Sequence, residues 1–196
     1  MKKILIATGN SHKINEIKLL LQDFPGLKIL SLKDFCIKPE ITEDKDSWEK
    51  NSFKKARVTY NILKIPCVSD DTGLFVEALN GAPGVHSARY SGENATYDSN
   101  CRKLLYELKD IPAKDRNAYF ETVICLYIND NENYFFNGIC KGRIINEVRG
   151  KYGFGYDPVF VPEGYDRTFA EMTNEEKNNV SHRSAAVKSF AGFLKN

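Results

Sequence analysis

Apolar residues fall along this chain in two rhythms. Lys3–Ala7 is a short, nearly continuous apolar run, the form of a strand covered on both faces. After Thr8-Gly9-Asn10-Ser11, apolar residues return at Ile14, Ile17, Leu20 and Leu21. Offsets of three and four predict a helix over 12–23 with one buried face. Leu27–Leu32 predicts a second strand, closed by a polar segment over 39–46. Over 47–63 the helical rhythm resumes, with Trp48, Phe53, Ala56 and Tyr60 on one side. Cys67–Ser69 reads as a short strand that stops at two adjacent carboxylates, Asp70 and Asp71. The glycine and proline punctuation behind them (Gly73, Gly81, Pro83, Gly84) predicts a loop there, and 84–92 reads as loop or irregular strand.

In the second half, Cys101, Leu104, Leu105 and Leu108 predict a helix over 97–108. Two β-rich runs, 118–128 and 134–140, flank the polar stretch 129–133 and predict a hairpin. Val159–Val161 reads as a core strand. Thr173 and Glu176 have the spacing of a capping box and open a short helix. The closing helix is expected over 184–194. A β-α-β opening followed by a hairpin predicts an α/β protein with a mixed sheet. Without repeats, low-complexity tracts or a linker rich in Pro, Gly or Ser, 1–196 reads as one domain. The hairpin region would form a second lobe facing the first.

Composition narrows the function more than the fold. At 196 residues the chain can bury a substantial core. The 28 basic and 26 acidic residues leave a net charge of +2, so neither a nucleic-acid backbone nor an anionic membrane is demanded as partner. Any anion site must therefore be local. The five cysteines are scattered and lack CxxC spacing, which speaks against a disulfide framework or a zinc site and fits a reducing compartment. Three of them sit in apolar runs and read as buried thiols. No apolar run approaches the roughly 18 residues of a membrane span. The apolar stretch Ile4–Ala7 is too short for a signal peptide, so a cytoplasmic protein is expected.

Four patches carry candidate chemistry. The turn Thr8-Gly9-Asn10-Ser11-His12-Lys13 leads from strand to helix, where backbone N–H groups and the helix dipole favour phosphate and Lys13 adds a charge. A helix cap at Ser11 and a turn at Gly9 would account for the same residues. The acidic segment Glu40–Asp44 and the Asp70-Asp71 pair offer carboxylates. Magnesium needs only one or two of these beside substrate phosphate oxygens, although a solvated acidic loop is the plainer account of 40–44 taken alone. Successive strand residues face opposite sides, so Asp70 and Asp71 are expected to play different parts. In Gly150–Pro158 the glycines let backbone approach a flat ligand, Phe154 offers a stacking face and Asp157 an acceptor for a base N–H. A Gly-aromatic turn entering a strand explains that stretch equally. Finally, Lys177, His182 and Arg183 crowd a helix junction with donors suited to carbonyl or phosphate oxygens, or simply to capping and ion pairing.

Together TGNSHK, SDDTGLFVEALNGAPGVHSARYSG, KYGFGYDP and SHRSAA resemble the inosine/xanthosine triphosphate pyrophosphatase family, in its order and over nearly the whole chain. DDTGL and APGVHSARYSG are most similar to its bacterial-type branch. The resemblance implies an elongated mixed α/β sheet whose two lobes flank a central nucleotide-binding cleft, usually in a homodimer. It implies Mg²⁺-dependent hydrolysis of a nucleoside triphosphate to the monophosphate and pyrophosphate. On this chain, Asp71 would be the proton-accepting, metal-associated carboxylate. Thr8, Gly9, Asn10, Ser11, His12 and Lys13 would hold phosphates, Lys55 would be a second phosphate-facing lysine, and Thr72 would lie against substrate. Phe154, Gly155, Tyr156 and Asp157 would stack on and contact the base, with Lys177, His182 and Arg183 on the purine edge. Two departures stand out. Lys45 replaces a common glycine in the acidic loop, leaving Glu43 the favoured metal glutamate with Glu40 as runner-up. Tyr152-Gly153 replaces the usual Gly-Gly.

On that reading a 6-oxo purine is selected over adenine, because a 6-amino group would meet protein donors. The rivals are a pyrophosphatase for modified pyrimidine nucleotides, a catalytically silent nucleotide sensor and an RNA-binding module. Asp71, Lys13 and Lys55 speak against silence. The near-neutral charge, with no basic stripe and no aromatic RNA-binding strand, speaks against RNA.

Overall fold

The computed structural model describes residues 2–37, 39, 41–42 and 47–195. In chain order, β1 (Lys2–Ile6), α1 (Ser11–Leu20), β2 (Leu27–Ser31), α2 (Trp48–Leu63) and β3 (Cys67–Val76) come first. They are followed by α3 (Tyr97–Glu107), β4 (Asn117–Asn129), β5 (Glu132–Ile144), β6 (Phe160–Pro162), α4 (Asn174–Val180) and α5 (His182–Lys195). The sheet runs β2-β1-β3-β4-β5-β6. β1 pairs parallel with β2 and β3, while β6 pairs antiparallel with β5. The expected mixed α/β sheet with helices is what forms.

The chain divides into two compact units, and each owns its core. The first comprises Met1–Asp71, Thr122–Gly138 and Arg183–Asn196; the second comprises Thr72–Glu121 and Ile139–His182. In the first unit the alternation of β1 explains its unbroken apolar run. Ile4 and Ile6 pack with Val68, Ile124 and Leu126 against Ile14 and Ile17 of α1 and Val187 and Phe190 of α5. Leu5 and Ala7 pack with Cys67, Cys125 and Tyr127 against Ala56 of α2. Both faces are covered, so both must be apolar. In the second unit, Leu74, Val76, Phe120 and Ile144 meet Cys101, Leu104 and Leu108 of α3, with Phe160 and Phe169 completing the cluster.

Several local expectations change. β3 does not stop at the carboxylates but runs ten residues through Asp70, Asp71 and Gly73 to Val76. Cations from other elements neutralise the pair and let the ladder continue. The hairpin strands are thirteen residues each, longer than their apolar cores, and Asn129 Oδ1 accepts the Asn131 N–H at 2.9 Å in the turn. Gly84–Arg89 is 3-10 helix, not loop or strand. The capping box before α4 forms as expected, with Thr173 Oγ1 and the Glu176 carboxylate each accepting the other's backbone N–H.

Four of the five thiols are buried and Cys36 alone is exposed. Burial pushes Cys67, Cys101, Cys125 and Cys140 up to about 12. Their thiolates are therefore scarce near neutral pH. An aromatic disulfide reagent should titrate one thiol per native chain within minutes and all five in denaturant. Rapid native titration of two or more would contradict this burial.

Candidate active site

The β1–α1 turn is organised by Asn10. Its N–H donates to Thr8 Oγ1 at 3.2 Å, and its side-chain oxygen accepts the N–H of His12 at 3.0 Å and of Lys13 at 3.3 Å. The helix cap is thus Asn10 and not Ser11. Three amides of the turn, at positions 10, 12 and 13, donate inward. The cradle of open amides expected from sequence is correspondingly smaller, and the Lys13 ammonium carries the positive charge of the turn.

That ammonium lies 3.1 Å from Asp70 Oδ2. The same oxygen accepts from Arg183 Nε at 3.2 Å and Nη2 at 3.1 Å. Arg183 Nη1 meets Glu16 Oε2 of α1 at 2.5 Å. On the opposite face of β3, Lys55 of α2 places Nζ 2.9 Å from Asp71 Oδ1 and 2.7 Å from the Asp70 carbonyl. Neighbouring carboxylates thus point to opposite sides, as strand alternation requires, and each meets its own cations. The strand itself is pinned. Thr122 Oγ1 donates to the Asp71 carbonyl at 2.9 Å, and Ser69 Oγ donates to the Ser52 carbonyl at 2.5 Å.

Among the described residues, three cations (Lys13, Lys55, Arg183) face three carboxylates (Glu16, Asp70, Asp71), so their charges balance. Burial opposes ionisation of the enclosed Asp70, but Lys13, Arg183 and Lys55 together outweigh it and hold its carboxyl well below the usual range. Burial draws Lys13 down from the ordinary lysine value, against the pull of Asp70. For Arg183 burial is outweighed by Glu16 and Asp70, and the guanidinium stays charged. The Asp71 side chain keeps a tenth of its surface exposed. It can offer a carboxylate to a divalent cation that takes its other ligands from phosphate. Glu43 and Glu40 lie outside the described residues. Among the described residues, no group of three His, Cys, Asp or Glu side chains is placed to hold a metal.

The second unit holds the aromatic patch. Asp157 Oδ2 accepts the Phe154 N–H at 2.8 Å and the Lys177 ammonium at 2.5 Å. Lys177 Nζ lies 4.9 Å above the Phe154 ring and 5.4 Å from the Phe169 ring, in reach of cation–π attraction. Phe169 in turn neighbours His182, which stacks on Phe120 at 4.6 Å. Phe154, Asp157, Lys177 and His182 are therefore brought together around Phe169. Gly153 is required here: its φ is +74°, and a Cβ would come 2.1 Å from Asp157 Oδ2. Tyr152, at the departure from Gly-Gly, projects into solvent, so the turn accepts it. Tyr156 is buried, and its hydroxyl donates to the Ser87 carbonyl at 2.9 Å. Thr72 is half-buried beside the pair on β3, and Gly155 is half-buried beside Phe154.

Arg183 reaches across to two carboxylates. Expected on the purine edge, it is engaged here by Asp70 and Glu16 with 1 % exposure. Sequence reasoning missed Glu16, Thr122, Ser87 and Asn100. Ser87 Oγ accepts the Leu74 N–H, and the Asn100 amide donates to the Ser87 and Ala88 carbonyls, which ties down the 3-10 segment. A signal for Glu16 did exist, because three residues after Lys13 it must share that lysine's helix face.

Comparison with known proteins agrees with the motif resemblance. The model of the Ham1 family matches residues 4–193. A relative from Porphyromonas gingivalis named dITP/XTP pyrophosphatase is 47 % identical over 194 residues, covering 99 % of this chain and 98 % of that protein. One of the same name from Desulfotalea psychrophila is 50 % identical over 184 residues, covering 94 % and 81 %. The structure of a HAM1 protein from Coxiella burnetii superposes with a TM-score of 0.89 at 38 % identity, covering 100 % of this chain and 99 % of that one. Matched by the family model over residues 4–193 and sharing the fold of a HAM1 protein, the chain belongs to the Ham1 family.

Proposed function

We propose that this protein hydrolyses non-standard purine nucleoside triphosphates (inosine, deoxyinosine and xanthosine triphosphates) to the monophosphate and pyrophosphate, clearing them from the nucleotide pool. The observation that carries this reading is the buried cluster on β3, where Lys13 and Lys55 flank an Asp pair, in a chain whose relatives bear the dITP/XTP pyrophosphatase name. In the reaction, the oxygen of water bonds to the α-phosphorus and the bond from that phosphorus to the bridging oxygen breaks. Asp71 accepts the proton of the attacking water. Lys55, 2.9 Å from its Oδ1, orients that carboxylate. Lys13 offsets the charge that grows on the departing pyrophosphate, because phosphoryl transfer depends on positioning and electrostatics. Mg²⁺, when bound, screens charge on the triphosphate oxygens, and Asp71 together with Glu43 or Glu40 would hold it.

Base choice falls to the aromatic patch. Lys177 and His182 are donors suited to a 6-oxo group, and Phe154 supplies a stacking face. Adenine presents a 6-amino donor to those donors and leaves buried groups unpaired. The same family resemblance supports a homodimer in the cytoplasm, and sedimentation would check the former. Among the described residues no helix is long and apolar enough to cross a membrane.

The test is pyrophosphate release from inosine triphosphate and from ATP, each with and without Mg²⁺. Mg²⁺-dependent release from the inosine substrate, with ATP slower by about 100-fold or more, is the expected result. Equal release from both would discard the base-reading assignment. Tight binding of inosine triphosphate without turnover would favour a sensor.

A further inference from the structure

Glu16 of α1 joins the ion cluster through Arg183. Its carboxylate holds Nη1 of Arg183 at 2.5 Å, while Nε and Nη2 of the same guanidinium meet Asp70 Oδ2 at 3.2 and 3.1 Å. A planar guanidinium held at both edges has its orientation fixed, which a single contact would not achieve. Asp70 Oδ2 is shared with Lys13 at 3.1 Å, so the place of Arg183 helps to decide the place of Lys13.

We propose that Glu16 is a positioning residue for hydrolysis: through Arg183 it fixes Asp70, and through Asp70 it fixes the phosphate-facing Lys13. The inference rests on the pyrophosphatase reading above. It adds a residue outside the four sequence patches.

The charges explain why Glu16 matters. Arg183 is 1 % exposed and the Glu16 side chain 13 % exposed, so water substitutes poorly for a lost partner. Lys13 and Arg183 already share one oxygen of Asp70, and without Glu16 the charge that draws the guanidinium away from Lys13 is lost. Arg183 then turns further onto Asp70 and displaces Lys13. A misplaced Lys13 weakens stabilisation of the leaving pyrophosphate, which is a loss in the transition state more than in substrate binding.

Glu16→Ala and Glu16→Gln, assayed beside wild type for pyrophosphate release from inosine triphosphate with Mg²⁺, test this directly. Outer-shell partners of functional groups commonly cost 10- to 100-fold when removed. Glu16→Ala should therefore lower kcat by about 10- to 100-fold with KM moved less than about threefold. Glu16→Gln keeps an acceptor oxygen for Arg183 and should recover part of that loss. Thermal melting separates this from unfolding; if Glu16→Ala does not fold, the kcat of Glu16→Gln decides, and it should lie below wild type at unchanged KM. An unchanged kcat in the folded variant, or a loss confined to KM, would overturn the inference while leaving the pyrophosphatase reading intact. A wild type inactive on inosine triphosphate would instead remove that reading and the inference with it.

Discussion

Asp71→Asn should abolish pyrophosphate release while leaving the fold in place. The carboxamide has nearly the same shape and its oxygen can still accept from the Lys55 ammonium, now 2.9 Å from Oδ1. Lys55 also keeps the Asp70 carbonyl at 2.7 Å, so that cation is not stranded. On the proposed mechanism, what disappears is a proton acceptor and a charged ligand for the divalent cation. General-base catalysis alone contributes on the order of 10²–10⁴-fold, so kcat should fall at least about 1,000-fold when both roles are lost together. Single-turnover measurement with inosine triphosphate and Mg²⁺ checks the chemical step, and melting temperature checks the fold. A variant that retains a tenth of wild-type kcat would move the proton-accepting role to another group.

Asp70→Ala should act on stability instead. Asp70 is fully buried and holds Lys13 and Arg183 on one oxygen. Removing it leaves two cations facing a cavity with their common counter-charge gone. Losing one partner of a buried ion pair typically costs about 3–5 kcal/mol. In a chain of this size that corresponds to a drop in melting temperature of roughly 6–20 °C. Asp70→Asn, which keeps the volume and one acceptor, should fall between alanine and wild type. Urea unfolding of the three proteins provides the comparison. An Asp70→Ala protein that melts within about 2 °C of wild type would show that the cations find water or other partners.

These two neighbours therefore carry opposite kinds of effect, and strand alternation is the reason. Sequence reading assigned them different parts on that ground alone. It did not foresee that the strand continues beyond them. Two carboxylates followed by Thr72-Gly73 look like the end of a strand, because nothing nearby in the chain neutralises them. The neutralising cations come from positions 13, 55 and 183, on α1, α2 and α5. Once folding gathers them, the ladder runs on to Val76.

What the sequence by itself determined is whatever local period and spacing encode. The covered strand β1, the amphipathic helices α1 and α2, the hairpin and the Thr173–Glu176 capping box all follow from residues within a few positions of one another. The family was legible too, because four motifs coincide in order. The tertiary structure alone decided which charge meets which. Arg183 could face a base or a carboxylate with equal chemical sense, and only the packing of α5 against α1 and β3 sets it on Glu16 and Asp70. Asn10 rather than Ser11 caps α1 because the geometry of the turn, not its composition, selects the acceptor. Pairing between distant charges is a property of three-dimensional proximity, and no period along the chain records it.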